Sequence, residues 1–299
     1  MSRAADLLHG HGEVLKLARL LGHEPHELAY LEQFPPQTLR ELRDGVTETL
    51  YDTDGGSLRR LAAASRVLPA KLTATLSQRA FGPLLSARLA GLLDPQRAVD
   101  VAGKLPAPFL ADVAVELDPR RASELIAGLS PRLIADVTAE LVAHREYVTM
   151  GRFVGHLQDD ALAAAIGAMD DRALLEVAFV LEDKRELPRL LAKLPQPRVA
   201  GIIGAAAHDD LWVQALDLLN HLSKPQRRAM VTATRALDAP ARQAIVQAIL
   251  EHDLWDEAAL IAEHDDTLAA TLSAGLRSLP ARRRREVTAT ARASGLRGL

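Results

Sequence analysis

Four acidic residues recur at a spacing of twelve and are the most regular candidates for chemistry in the chain: Asp100, Asp112, Glu124 and Asp136. Each would lie roughly opposite the apolar stripe of its own helix, so the four carboxylates are expected on an exposed ridge. Mg²⁺ prefers oxygen ligands, which makes the ridge a candidate Mg²⁺ site. A solvated face that keeps a helical protein soluble is the simpler interpretation, and we favour it.

Three His-Asp dipeptides suggest a second chemistry. They lie at His208-Asp209, His252-Asp253 and His264-Asp265. Helical phosphohydrolases of the HD type hold metal with such a dipeptide and further His and Asp ligands, so metal-dependent hydrolysis is an alternative function. Each dipeptide, however, falls where one helix should end and the next begin. Histidine suits the carboxyl end of a helix and aspartate suits an N-cap, so helix boundaries are the favoured explanation.

Histidines near the amino terminus could gather at a zinc ion, because neutral imidazole is a common zinc ligand. They are His9, His11, His23 and His26. No His-Glu-x-x-His motif accompanies them, and no carboxylate stands at a convincing spacing. The stretch DTDGG at 52–56 lacks the sixth-position glycine and twelfth-position glutamate of an EF-hand, so it is predicted to be a turn.

The densest positive charge is the run Arg282, Arg283, Arg284 and Arg285. Such a run could bind phosphate or an acidic surface. Aromatic side chains that would stack on bases do not occur nearby, so nucleic acid is not expected as a partner. A solvated and partly disordered tail is the favoured interpretation.

The elements that carry these residues are repeated. Residues 93–116 and 117–140 match at ten positions, among them the Leu-Asp-Pro that begins each copy. Each copy of 24 residues divides into two halves of twelve. Within each half, apolar residues occur at i, i+3, i+4 and i+7, which is one stripe of an α-helix. The first such stripe is Ala98, Val101, Ala102 and Leu105. The pattern is interrupted at 142–156 and then continues to residue 206.

Each unit also carries residues that begin a helix. Asp94, Asp118 and Ser130 are predicted N-caps, and each is followed by a proline at the first helical position. Helices this short are marginal alone and must stack on their neighbours. The prediction is an all-α fold, an α-solenoid of short helical hairpins in an armadillo- or HEAT-like superhelix whose hand the sequence does not fix.

Three regions are predicted along the chain. Residues 1–80 form an N-terminal helical cap or small helical domain, residues 81–207 carry the regular repeats, and residues 208–299 carry looser repeats with a basic carboxyl-terminal helix or tail. The repeat LDPxRAxELxxxLxPxxxADVxxEL resembles the cytosolic N-terminal domain of MgtE-type magnesium transporters, with a more distant FliG-like character. The resemblance covers about 81–206 and implies the superhelical fold, together with sensing of a divalent cation or docking to another domain. The CBS pair and the membrane pore of that family have no counterpart in this sequence.

The amino-acid composition excludes several kinds of site and partner. The chain has 299 residues and no cysteine, which excludes disulfides and thiolate metal sites, and its net charge of -3 gives no general attraction to nucleic acid. No apolar run is long enough to span a membrane, and we expect a cytoplasmic protein. We therefore expect a non-enzymatic scaffold or regulatory module that binds a protein, with a cation-responsive module and a phosphohydrolase as alternatives. Mg²⁺ is the favoured candidate cofactor, none being certain, and the oligomeric state is left open. The predicted partner-binding face consists of Arg97, Arg121, Asp112 and Asp136.

Overall fold

The described part of this computed structural model is helical throughout. It comprises residues 3–52, 55–65, 67–209, 211–262, 265–282, 284–285, 288 and 291, and it contains no β-strand, which confirms the all-α prediction. The first helices are α1 (Arg3–Leu21), α2 (Pro36–Asp52), α3 (Gly55–Ser65), α4 (Ala70–Leu76), α5 (Gly82–Ala90), α6 (Pro95–Ala102), α7 (Ala107–Glu116), α8 (Ser123–Gly128), α9 (Pro131–Ala143) and α10 (Tyr147–Phe153). The others are α11 (Asp159–Gly167), α12 (Asp171–Phe179), α13 (Leu187–Ala192), α14 (Gln196–His208), α15 (Trp212–Leu218), α16 (Lys224–Ala233), α17 (Ala239–His252), α18 (Trp255–Ala262) and α19 (Asp266–Ser278).

Short 3-10 or π-helical segments connect several of these helices. They are Pro25–Gln33, Ser77–Phe81, Val154–His156, Lys184–Glu186, Leu219–His221 and Thr234–Ala236. None of the described helices combines the length and the apolar character that crossing a membrane requires.

Each helix packs mainly against the helices two places before and two places after it in the chain. Helix α5 contacts α3 and α7, and α9 contacts α7 and α11, while α6 contacts α4 and α8. The same alternation continues where α12 contacts α10 and α14, and where α17 contacts α15 and α19. Successive helices of the first part therefore fall into two rows, with α5, α7 and α9 in one row and α4, α6 and α8 in the other.

The apolar stripes predicted from the sequence form the core. Ala98, Val101 and Ala102 are buried, and Leu162, Leu174 and Leu181 of later units are almost fully buried. Ala98 and these three leucines belong to one continuous apolar cluster, whose buried members extend from Ala87 to Ala291 among the described residues. Each fully buried leucine stabilises the fold by roughly 1.5–3 kcal/mol, and this is how helices too short to be stable alone are held together.

Two of the three predicted N-caps are confirmed by the structure. The side chain of Asp94 accepts from the amide of Arg97, and the Ser130 hydroxyl accepts from the amide of Leu133. The prediction for Asp118 is wrong, because α8 begins only at Ser123. Asp118 is buried instead, and its carboxylate accepts from the amide and the guanidinium of Arg120, which holds residues 119–122 in a turn.

The first two helices form a packed unit of their own. Val14, Leu17 and Leu39 are buried in a separate small core together with Leu28 of the 3-10 segment that joins α1 to α2. Helix α1 also contacts α10 and α15, so the unit lies against the repeats. Helices α3 and α4 contact α5 and α6 and thus continue the two rows toward the amino terminus.

Candidate functional site

The predicted Mg²⁺ ridge is exposed along its whole length. Asp100, Asp112, Glu124 and Asp136 lie on α6, α7, α8 and α9, and all four side chains face solvent. Within the described residues, the one set of three possible ligands whose donor atoms lie within 4.8 Å of one another is found elsewhere. The four carboxylates are therefore not gathered at a common point.

The predicted partner-binding face is divided between the two rows. Half-buried Arg97 on α6 donates to the carbonyl of Leu68 and to the hydroxyl of Thr73. Arg121 precedes α8 in the same row, and its Nε lies 3.8 Å from the carboxylate of Asp118. Asp112 and Asp136 are exposed on α7 and α9 in the other row. Arg97 thus braces a neighbouring turn.

The two His-Asp dipeptides that the structure describes in full lie at helix ends, as the helix-boundary interpretation predicts. Helices α14 and α17 end at the exposed residues His208 and His252. Asp209 and Asp253 follow as C-cap residues and do not begin the next helix, so the N-cap prediction is wrong for both. Asp253 adopts a left-handed conformation, with φ of 54°, and accepts from the indole of Trp255.

The third dipeptide and the arginine run are only partly within the described residues, because His264 and Arg283 lie outside them. Asp265 is a true N-cap and accepts from the amides of Thr267 and Leu268 at the start of α19. Arg282, Arg284 and Arg285 are exposed.

A polar cleft lies between the amino-terminal unit and the repeats and has a volume of about 390 Å³. Six basic and three acidic side chains line it, and His156 is also present. The basic residues are Lys16, Arg19, Arg43, Arg88, Arg120 and Arg152, and the acidic ones are Glu116, Asp118 and Glu182. The lining itself carries more basic than acidic side chains, and Glu13, Asp44 and Glu146 outside the lining pair with four of the basic ones. A cleft lined by one dominant sign concentrates charged ligands of the opposite sign.

One wall of the cleft is fixed by a partly buried network of ions. Arg43 donates through both terminal nitrogens to the carboxylate of Glu182, at 2.9 and 2.5 Å, and lies 3.1 Å from Glu13. Lys16 donates to Glu13 at 3.1 Å and to the carbonyl of Leu181 at 3.3 Å. These bonds join α1 and α2 to the segment that follows α12. The wall is therefore held at a fixed distance from the repeats.

Burial and neighbouring charges set the pKa values in this network. Burial alone would raise the pKa of Glu182, but Lys16 and Arg43 outweigh it, so the pKa lies below the usual glutamate value. Burial lowers the pKa of Lys16, although Glu13 and Glu182 oppose that shift. Glu182 therefore stays ionised at neutral pH and acts as the central acceptor of the network.

The rim of the cleft also carries exposed apolar side chains. Leu21 at the end of α1 is 42% exposed and Leu84 on α5 is 51% exposed, and both line the cleft. Together they add exposed apolar surface to the charged rim of the cleft.

A second polar cluster lies where α1 meets α15. His9 of α1 approaches Asp217 of α15 and His221 of the following 3-10 turn, and their possible ligand atoms all lie within 4.8 Å of one another. The His9 Nε2 atom is 3.4 Å from Asp217 Oδ1, and the two imidazole centroids are 5.6 Å apart. The Asp217 side chain is fully buried.

Charged and polar groups surround this cluster. Burial lowers the pKa of Lys184 to about 8, against the opposing attraction of Asp217, and its ammonium donates to the carbonyls of Ala178 and Phe179. Burial also raises the pKa of Glu257, which accepts from the amide of Asn220 at 2.6 Å. The same effect lowers the pKa of His221, with Asp217 acting in the opposite direction.

The four histidines predicted as amino-terminal zinc ligands do not form a common cluster among the described residues. His11 lies 2.7 Å from Glu32 and His23 lies 3.0 Å from Glu27, so each has a separate carboxylate partner. His9 alone joins a cluster, and its partners there come from the other half of the chain. The sequence gives little signal for Asp217 and His221, which are polar residues four apart in a mainly apolar segment that also contains Gln214 and Asn220.

No protein-family model matches the chain, and no significant match is found among curated proteins or among solved structures. The function must therefore be inferred from the two polar sites themselves.

Proposed function

We propose that this chain is a non-enzymatic helical-repeat scaffold that binds an acidic segment of a protein partner in the cleft between α1–α2 and the repeats. The alternation of contacts between helices supports a superhelical stack of short hairpins, since stacked units of this kind pack mainly on their sequence neighbours. Solenoids of this type present long surfaces suited to holding another protein. The MgtE-like, Mg²⁺-responsive and phosphohydrolase interpretations stay predictions.

The observation that carries the proposal is the composition of the cleft. Its six basic side chains face three acidic ones, and Leu21 and Leu84 stand exposed at the same place. A ligand that matches both features carries carboxylates for the arginines and apolar side chains for the leucines. An acidic protein segment with leucines meets these requirements, whereas a small anion would leave the leucines uncovered.

The experiment is a binding titration with a short fluorescein-labelled peptide rich in glutamate and containing leucines. We expect binding that weakens as salt is added, because charges at a solvent-accessible cleft are screened. Replacing the peptide glutamates by glutamines should abolish most of the affinity. The change Arg88→Gln in the cleft should weaken binding by about fivefold to tenfold, which corresponds to roughly 1–1.4 kcal/mol.

The matched control is Arg228→Gln, which removes the same charge from an exposed position on α16 outside the cleft. That variant should bind the acidic peptide like the unmodified chain. Equal losses in the two variants would show that only overall charge matters, and the assignment of the cleft would be wrong.

A further inference from the structure

The cluster of His9, Asp217 and His221 has the donor set of a transition-metal site. Imidazole nitrogen and carboxylate oxygen together are ligands that zinc accepts, and sites with three protein ligands keep a fourth position for water. Mg²⁺ demands oxygen ligands in octahedral geometry, so two imidazoles disfavour it here. The cluster is separate from the acidic ridge on α6–α9 and from the basic cleft.

The distances in the cluster fit such a site. With metal–ligand bonds of about 2.0–2.2 Å, neighbouring ligand atoms of a tetrahedral zinc site lie about 3.4 Å apart. The His9 Nε2 and Asp217 Oδ1 atoms are 3.4 Å apart, and the whole set lies within 4.8 Å.

The buried polar atoms give an independent reason to place a ligand here. Both oxygens of Asp217, the Nε2 of His9 and the Nε2 of His221 are buried and have no hydrogen-bond partner among the described residues. Burying such groups without a partner costs free energy, and the cost is largest for a carboxylate. A cation bound between the three side chains would give these buried atoms a common partner.

The ammonium of Lys184 does not act as the cation that satisfies the buried Asp217 carboxylate. Its ammonium is attracted by Asp217, but its hydrogen bonds go to the carbonyls of Ala178 and Phe179. No ion pair of 4.0 Å or less joins it to Asp217 among the described residues. The lysine reduces the negative potential of the pocket without making a direct bond to the carboxylate.

We propose that His9, Asp217 and His221 bind one Zn²⁺ ion, which fastens the amino-terminal helix α1 to α15. The ion joins two segments that are far apart in the chain, and a water molecule completes its coordination. Metal binding at such a junction contributes to folding free energy, because the ligands come together only in the folded chain. This inference stands apart from the peptide-binding proposal, because none of the three ligands lines the cleft.

The test begins with the full chain treated with a chelator and then titrated with Zn²⁺ in competition with a chromophoric chelator. One equivalent should bind with a dissociation constant of about 1 µM or tighter. Zn²⁺ should raise the midpoint of thermal unfolding in proportion to its occupancy. Co²⁺ substituted for zinc should give the intense visible absorption of a tetrahedral site.

Three variants make the test specific. His9→Gln and His221→Gln should each weaken Zn²⁺ binding by at least about tenfold and remove the rise in unfolding midpoint. The control His208→Gln changes an exposed histidine at the end of α14 and should leave both unchanged. Binding that is absent in the unmodified chain, or equally strong in all three variants, overturns the proposal. A weak octahedral Co²⁺ spectrum of the unmodified chain would overturn it even if a variant failed to fold.

Discussion

Glu182 illustrates how a single carboxylate holds two parts of this molecule together. It accepts from both terminal nitrogens of Arg43 on α2 and lies 3.7 Å from the ammonium of Lys16 on α1. The Lys16 and Arg43 side chains are almost fully buried, so removing Glu182 leaves Glu13 as the carboxylate that they share and takes away one of the charges that balance them. Breaking such a pair costs more than the pair itself contributes, because the remaining charge stays desolvated.

We expect Glu182→Gln to lower the free energy of unfolding at neutral pH by about 2 kcal/mol. The pKa of Glu182 is lower in the folded chain than in the unfolded one, so its stabilisation is present above the unfolded value near about 4.3 and is lost as pH falls through the folded value. The difference between the two proteins should therefore shrink in acid. Urea unfolding at several pH values measures it.

The matched control for that measurement is Glu251→Gln. Glu251 is exposed on α17 and accepts from Gln247 one helical turn before it. Its replacement should change the stability by less than about 0.5 kcal/mol. A Glu182→Gln deficit that stayed constant down to acid pH would contradict the assigned pKa direction and the role of the ion network.

At the scale of elements, close helix approach depends on particular glycines. A Cβ atom built on Gly151 of α10 would lie 2.7 Å from the carbonyl oxygen of Val180, just after α12. The carbonyl of Gly151 also accepts from the amide of Glu182 at 3.3 Å, so the same contact holds the segment that carries the ion network. Glycine therefore allows α10 and the end of α12 to meet backbone to backbone.

The change Gly151→Ala should lower the free energy of unfolding by about 1–3 kcal/mol, because the added methyl group meets main-chain atoms that cannot move aside cheaply. Gly167→Ala is the control, since nothing lies within 4 Å of the Cβ that it would add to α11. That variant should be as stable as the original or gain up to about 1 kcal/mol from better helix propensity. Chemical denaturation of the two proteins checks the prediction, and equal effects would contradict it.

The sequence predicted the elements well where local chemistry decides them. Ala98, Val101 and Ala102 of the first apolar stripe are buried and Leu105 is half-buried, while Asp94 and Ser130 cap their helices. Asp118 has the same local sequence as Asp94 but a different role, because its neighbour Arg120 offers a guanidinium that competes with the helix amides. A cap motif alone does not reveal such competition, which depends on the burial of the turn.

The candidate sites were much harder to predict, because they are made by contacts between distant segments. His9 meets Asp217 and His221 only after α1 packs on α15, and no local spacing encodes that packing. The cleft likewise gathers residues from α1, α2, α5, α7 and α10. Asp100 and Asp112 recur periodically in the sequence, yet such a period marks the exposed face of successive helices as readily as it marks a site.

At the scale of the whole molecule, both proposed sites lie where the amino-terminal unit packs against later helices. Helix α1 contributes Lys16 and Arg19 to the cleft and His9 to the zinc cluster. Arg19 also forms two hydrogen bonds to the carboxylate of Glu146, at 2.9 and 3.0 Å. Helix α1 is thus tied to later parts of the chain at both sites.

The most direct test of the central claim places a photo-crosslinking residue at one exposed leucine and asks which position captures the acidic peptide. Leu84 lines the cleft and is 51% exposed, whereas Leu72 on α4 is 45% exposed and does not line it. The account predicts a light-dependent crosslink to the peptide from position 84 and none from position 72. Capture at position 72 alone, or equal capture at both positions, would contradict it.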